Sequence, residues 1–141
     1  MADLEVAAKS AASAAAVPPF PHSVIIQPFV RAEFRCVAFS RTQSNKAIIE
    51  VFRQDARTPT ALYALHSGLA SWPDLEYSCS GNDVLSSAQL LQIASLTKAA
   101  DAMFPSGADL EFVCADPIIA VQARPITAMP SFPVVAPTGD T

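Results

Sequence analysis

The order of apolar and polar positions divides the chain into a β-rich stretch, one helix and a closing pair of strands. Val24-Ile25-Ile26-Gln27-Pro28-Phe29-Val30 and Phe34-Arg35-Cys36-Val37-Ala38-Phe39 are two β-branched and aromatic runs separated by Arg31-Ala32-Glu33. They predict a hairpin, with Pro28 at an edge or a bulge because proline has no donor for the ladder. Residues 46–53 (KAIIEVFR) predict a third strand, 54–61 a polar loop, and 62–66 and 75–79 two shorter strands. Ser86-Ser87-Ala88-Gln89 fits a capping box, in which the serine hydroxyl takes the N3 amide and the glutamine side chain reaches back. Leu90, Ile93, Ala94, Leu96, Ala100, Met103 and Phe104 then recur at helical spacing until Pro105 and Gly107 stop the run. Strands at 109–114 and 118–124 follow. The pattern predicts an α+β fold, an antiparallel sheet with one main packing helix.

The two ends read differently. Residues 1–16 hold eight alanines but few large apolar side chains, which predicts a frayed helix or tail. Val17-Pro18-Pro19-Phe20-Pro21 makes a stiff linker, so residues 1–22 form a tail, 23–127 the folded unit and 128–141 a second, proline-rich tail. Asp3 and Glu5 stand where a signal peptide would be basic, and Lys9, Ser10 and Ser13 break the alanine run. The expectation is a soluble cytoplasmic protein without membrane contact.

Composition sharpens this reading. Hydrophobic residues make up 51% of the 141 and charged residues only 16%, against about 25% charged in an average soluble domain. Too few charges for a free-standing surface predict that a second lobe or partner chain covers part of it. The net charge of −4 argues against nucleic acid, whose phosphates need a basic patch. Gly68, Gly81, Gly107 and Gly139 lie too far apart for a phosphate-cradling glycine loop. Cys36, Cys79 and Cys114, with His22 and His66, offer none of the closely spaced pairs that zinc requires, and are expected as reduced thiols. A cysteine hydrolase built on Cys79 and His66 has no support in their spacing. Trp72 is expected to anchor a loop, and His66 to be an ordinary residue at a strand end.

The chemistry concentrates at residues 108–127, ADLEFVCADPIIAVQARPIT. Leu110, Phe112 and Cys114 alternate with Asp109 and Glu111; Ile119, Val121 and Ala123 alternate with Gln122 and Arg124. With Asp116-Pro117 at the turn, Glu111 faces Gln122 and Asp109 faces Arg124. Facing side chains have Cβ atoms about 4.5–5.5 Å apart, so one surface presents two carboxylates, an amide oxygen and a guanidinium. A carboxylate and an amide oxygen are hard ligands for Mg²⁺, and a guanidinium meets phosphoryl oxygens in a fork. The same residues equally make a solvated hairpin face with an Asp109–Arg124 ion pair.

Asp109-Leu110-Glu111-Phe112 followed by Val121-Gln122-Ala123-Arg124-Pro125-Ile126-Thr127 resembles the end of a known nucleotide-binding domain. That domain belongs to the phosphoenolpyruvate synthase and pyruvate phosphate dikinase family, has the ATP-grasp fold, and closes with a DIEW…LQxRPIT pattern. Rifampicin phosphotransferases share it, so the phosphoryl acceptor stays open. Residues 24–30 and 36–41 are similar to the family's VLVQxMV…GVAFTR hairpin, and Ile48-Ile49-Glu50 to its next strand. The resemblance spans residues 23–127 and implies one ATP-grasp lobe, the C-terminal one, with ATP and Mg²⁺ as cofactors. It implies Glu111 and Gln122 as metal ligands, Arg124 as the catalytic phosphate-contacting residue, and Gln27 and Glu50 at the nucleotide. The activity implied is that of an ATP-dependent phosphotransferase of the pyruvate, water dikinase type, inactive until the other lobe is supplied. Several features depart from the family. Val51-Phe52-Arg53-Gln54-Asp55 replaces a GLGE-type segment and Cys36 a glycine; the lobe expected before residue 23 and the swivelling domain expected after Pro125 are not found. A non-catalytic interaction module derived from the same lobe is the alternative.

Overall fold

The structure, a computed structural model, describes residues 23–66, 69 and 75–130. The alanine-rich segment, the proline linker, His22, Trp72 and the tail from residue 131 lie outside the described residues. Among those described, the strands are β1 (Phe34–Phe39), β2 (Ala47–Arg53), β3 (Ala61–Leu65), β4 (Tyr77–Gly81), β5 (Ala108–Val113) and β6 (Ile119–Pro125), with α1 (Ser87–Asp101) between β4 and β5. They form one six-stranded sheet in the order β4-β3-β2-β1-β5-β6, every neighbouring pair antiparallel. The α+β architecture expected from the pattern is therefore present. No helix among the described residues is long and apolar enough to cross a membrane.

Alternation along each strand builds the core. Cys36 and Ala38, Ile49 and Val51, Tyr63 and Leu65, and Leu110 and Phe112 share the face that packs on Leu90, Ile93, Ala94 and Ala100 of α1. Each fully buried valine, leucine, isoleucine or phenylalanine side chain among them contributes about 1.5–3 kcal/mol relative to exposure. The opposite face carries Ile48, Leu62 and Ala64, also buried. β2 and β3, apolar on both faces, consequently read as almost unbroken apolar runs.

The helix begins as its sequence dictates. Gln89 N donates to Ser86 Oγ at 3.2 Å and Ser86 N to Gln89 Oε1 at 2.9 Å, closing the capping box. Its apolar stripe differs from the expected one: Leu96 and Met103 are exposed, and Thr97 is buried instead. Thr97 tolerates the interior because its hydroxyl donates to Ile93 O at 2.7 Å. The helix ends at Asp101, three residues short of Phe104, through a turn in which Met103 N donates to Ala100 O.

One expected hairpin does not form. Residues 23–30 belong to no strand, and Ile25, Ile26 and Phe29 are exposed. Both sides of β1 are already occupied, by β2 and by β5, so a preceding strand finds no free ladder there. Pro28 could donate no hydrogen bond in any case. Elsewhere only the ends move: β4 lies two residues later than 75–79, and the other strands shift by one residue or less from 46–53, 62–66, 109–114 and 118–124.

Candidate functional site

The β5–β6 hairpin turns at Asp116-Pro117, whose peptide bond is cis. Farther along the hairpin the register brings Glu111 opposite Gln122 and Asp109 opposite Arg124, the two facing pairs expected from the sequence. A bulge follows Glu111, so that Phe112 faces Ala120 and Val113 faces Ile119. Because one extra residue on β6 inverts the alternation beyond it, Ile119 and Ala123 lie on opposite faces and not on the shared one the alternation predicts. The bulge lies between the turn and the polar pairs, and its extra residue on β6 is what sets Glu111 opposite Gln122 and Asp109 opposite Arg124.

β1 extends this surface to β2. Val37 pairs with Glu111 on one side and Glu50 on the other, giving a row Glu50–Val37–Glu111–Gln122 across four strands. The adjacent row on the same face reads Ile48–Phe39–Asp109–Arg124. Glu50 and Glu111 are thus two strand spacings apart, about 10 Å along the sheet.

The two rows differ in environment. Arg124 Nε donates to Asp109 Oδ2 at 2.8 Å, with the arginine side chain 63% exposed and the aspartate 12%. That bond, reinforced by the charge of Asp109, raises the guanidinium further above its ordinary pKa. Glu111 and Gln122 are both exposed. Glu50 is half-buried, and burial, followed by the negative charge of Asp109, raises its carboxyl pKa above the ordinary 4.5. A cleft of about 210 Å³ opens beside the ion pair, lined by Phe39, Asp109, Arg124, Ile126 and Thr127. Arg124 and Asp109 meet this cleft as a pair, beside the apolar Phe39 and Ile126.

Four of the five sequence-derived candidates, Glu50, Glu111, Gln122 and Arg124, share this face. Gln27 sits on the exposed segment before β1 and pairs with no strand. A larger cleft, about 520 Å³, lies at the opposite end of β1 between Phe29, Arg31, Glu33 and Gln54, and none of the candidates lines it. Phe39 and Thr127 are cleft residues that motif reading does not single out; Phe39 becomes visible only through its register with Asp109.

Among the described residues no group of three or more histidine, cysteine, aspartate or glutamate side chains could hold a metal ion. The Cys79 thiol donates to Ser80 O at 3.8 Å, and burial pushes its pKa up, the reverse of an activated nucleophile. Cys79 faces Tyr63, while His66 lies beyond the end of β3, where its amide donates to Glu76 O. Comparison with protein-family models, curated proteins and solved structures returned no match to this chain.

Proposed function

We propose that this chain is one lobe of an ATP-grasp domain of the dikinase type, supplying Mg-ATP contacts from the β5–β6 hairpin and acting only when a second lobe or partner chain covers the sheet. The observation that carries this reading is the register: Glu111 faces Gln122 and Asp109 faces Arg124, with Glu50 in the same row as Glu111. These pairs fall within the segment that resembles the family's closing motif.

The donor set fits Mg²⁺ held jointly with a nucleotide. One exposed carboxylate and one exposed amide oxygen are too few to cage a cation, but Mg²⁺ commonly takes one or two carboxylates, keeps waters and binds substrate phosphates. Bound there, the ion would neutralise phosphate oxygens. Arg124, oriented through Nε by a mostly buried carboxylate, would present its terminal nitrogens to a phosphoryl oxygen and stabilise charge during transfer. Glu50, on the same face, would contact the nucleotide from the side of β2.

A second reading, a non-catalytic interaction module, is favoured by the same ion pair, because Asp109 satisfies Arg124 without a ligand. Calorimetric titration of Mg-ATP into the full chain, alone and with a dikinase-type N-terminal lobe added, separates the two. The phosphotransferase reading expects saturable binding with the added lobe, weakened at least about tenfold by Arg124→Ala, a loss of one charge-assisted hydrogen-bonding partner. Absence of binding in both titrations overturns it.

A further inference from the structure

We propose that Cys36 and Cys114 are a disulfide-forming pair, a modification site at which a small oxidised disulfide converts two thiols into one cystine. The inference does not depend on nucleotide binding.

The fold places the pair. Cys36 lies in β1 opposite Phe112, and Cys114 follows β5, its amide donating to Phe34 O at 3.0 Å. The cysteines are therefore diagonal neighbours on adjacent antiparallel strands, and both belong to the helix-side core. Their sulfurs are 2.6 Å apart, against ~2.05 Å for the bond itself. Neither strand has to slide for the bond to close. The two sites also differ in access: Cys36 is buried, whereas Cys114 is only partly so.

This asymmetry divides the work. The contact between the two sulfurs lowers the pKa of Cys114, while the same contact and burial raise that of Cys36. Cys114, the more accessible of the two, is the attacking sulfur. Its thiolate displaces one thiolate from a small disulfide such as oxidised glutathione, forming a mixed disulfide. Cys36 then attacks the Cys114 sulfur, its proton passing to the second departing thiolate. Two protein thiols are oxidised by two electrons, and one small disulfide is reduced to two thiols. Cys79, on β4 and three strands from Cys36, has no role in the exchange.

The full chain, at low micromolar concentration, is treated with oxidised glutathione and then denatured for thiol counting and non-reducing peptide mapping. The expected result is one remaining thiol, Cys79, a Cys36–Cys114 linked peptide, no retained glutathione, and an unfolding midpoint raised by several degrees. Cys79→Ser should keep the link, and Cys36→Ser should trap glutathione on Cys114. Three unmodified thiols, a stable glutathione adduct on the wild-type chain, or a link that involves Cys79 or a second molecule would each overturn the proposal. The wild-type and Cys79→Ser mapping decides the matter even if Cys36→Ser does not fold.

Discussion

Arg124 donates its Nε hydrogen to Asp109 Oδ2 at 2.8 Å, tying an exposed edge strand to a carboxylate that is 12% exposed. The bond is unequal in its consequences. Removing the arginine leaves a largely buried acceptor without its cation, so Arg124→Ala should lower stability by more than Asp109→Asn does. Asp109→Asn keeps an acceptor oxygen for the same Nε and should cost less than about 1 kcal/mol. Urea unfolding of the two variants checks the order; equal losses would mean that the pair acts only as a solvated surface bridge.

The polar pairs of this site are the ones that counting from Asp116-Pro117 predicts, but the turn alone does not set them. Next to the turn Val113 pairs with Ile119 and Phe112 with Ala120, and only the bulge carries Glu111 to Gln122 and Asp109 to Arg124. The bulge beyond Glu111 was not legible, because a single added residue in Ala120-Val121 carries no signal of its own in an already apolar strand. Helix α1 was readable from its start, where Ser86 and Gln89 satisfy each other's amides, but not at its end, where Asp101 meets Ser40, just past β1 and far away in sequence. The segment at 24–30 has the composition of a strand and is none. Propensity describes what a strand would tolerate, and the places beside β1 were taken by β2 and β5.

That distant contact carries the second prediction. Ser40 Oγ accepts from Ala108 N at 2.7 Å and donates to Asp101 Oδ1 at 2.6 Å, while Arg41 holds both oxygens of Asp101 through Nε and Nη2. An aspartate at a helix C-terminus opposes the helix dipole, and Arg41 offsets it. Ser40→Ala strands the buried Ala108 amide and should cost about 1–3 kcal/mol in urea unfolding. The hydrogen bond from Arg41 also holds the Asp101 pKa below its ordinary 3.8. Its contribution to stability is therefore present above pH 3.8 and is lost as the pH falls through the lower folded-state value. Asp101→Asn should flatten this part of the acid-unfolding curve, and an unchanged curve would remove Asp101 from the account.

Glu50 has the opposite sign. Burial and the charge of Asp109 raise its folded-state pKa above 4.5, so the fold prefers the neutral acid. Stability from this group is complete below pH 4.5 and is lost as the pH rises through the folded-state value. Glu50→Gln should stabilise the chain at pH 8 and have little effect at pH 4, measured as the shift in urea midpoint. The gain should be smaller in an Asp109→Asn background, since the second cause of the shift is then gone. A gain that is equal at both pH values would point to packing and not to charge.

Gly81 closes β4 at φ +86°, a left-handed conformation that side chains rarely adopt. A Cβ built there would lie 2.4 Å from Thr60 O, a backbone atom held in place at the start of β3. Thr60 cannot easily retreat: its amide donates to Val51 O at 2.7 Å, and its carbonyl accepts from Asn82 N at 3.0 Å. Gly81→Ala should therefore cost about 1–3 kcal/mol through strain, steric conflict or both. Gly107, at φ +93°, meets first a side-chain atom, Ser40 Oγ at 2.9 Å, and its alanine variant carries the same backbone penalty with a neighbour that can rotate. Introducing Ser40→Ala should relieve part of the Gly107→Ala loss, but none of the Gly81→Ala loss. A double-mutant cycle by urea unfolding measures this coupling, and additivity at Gly107 would show that strain, not contact with Ser40, sets its cost.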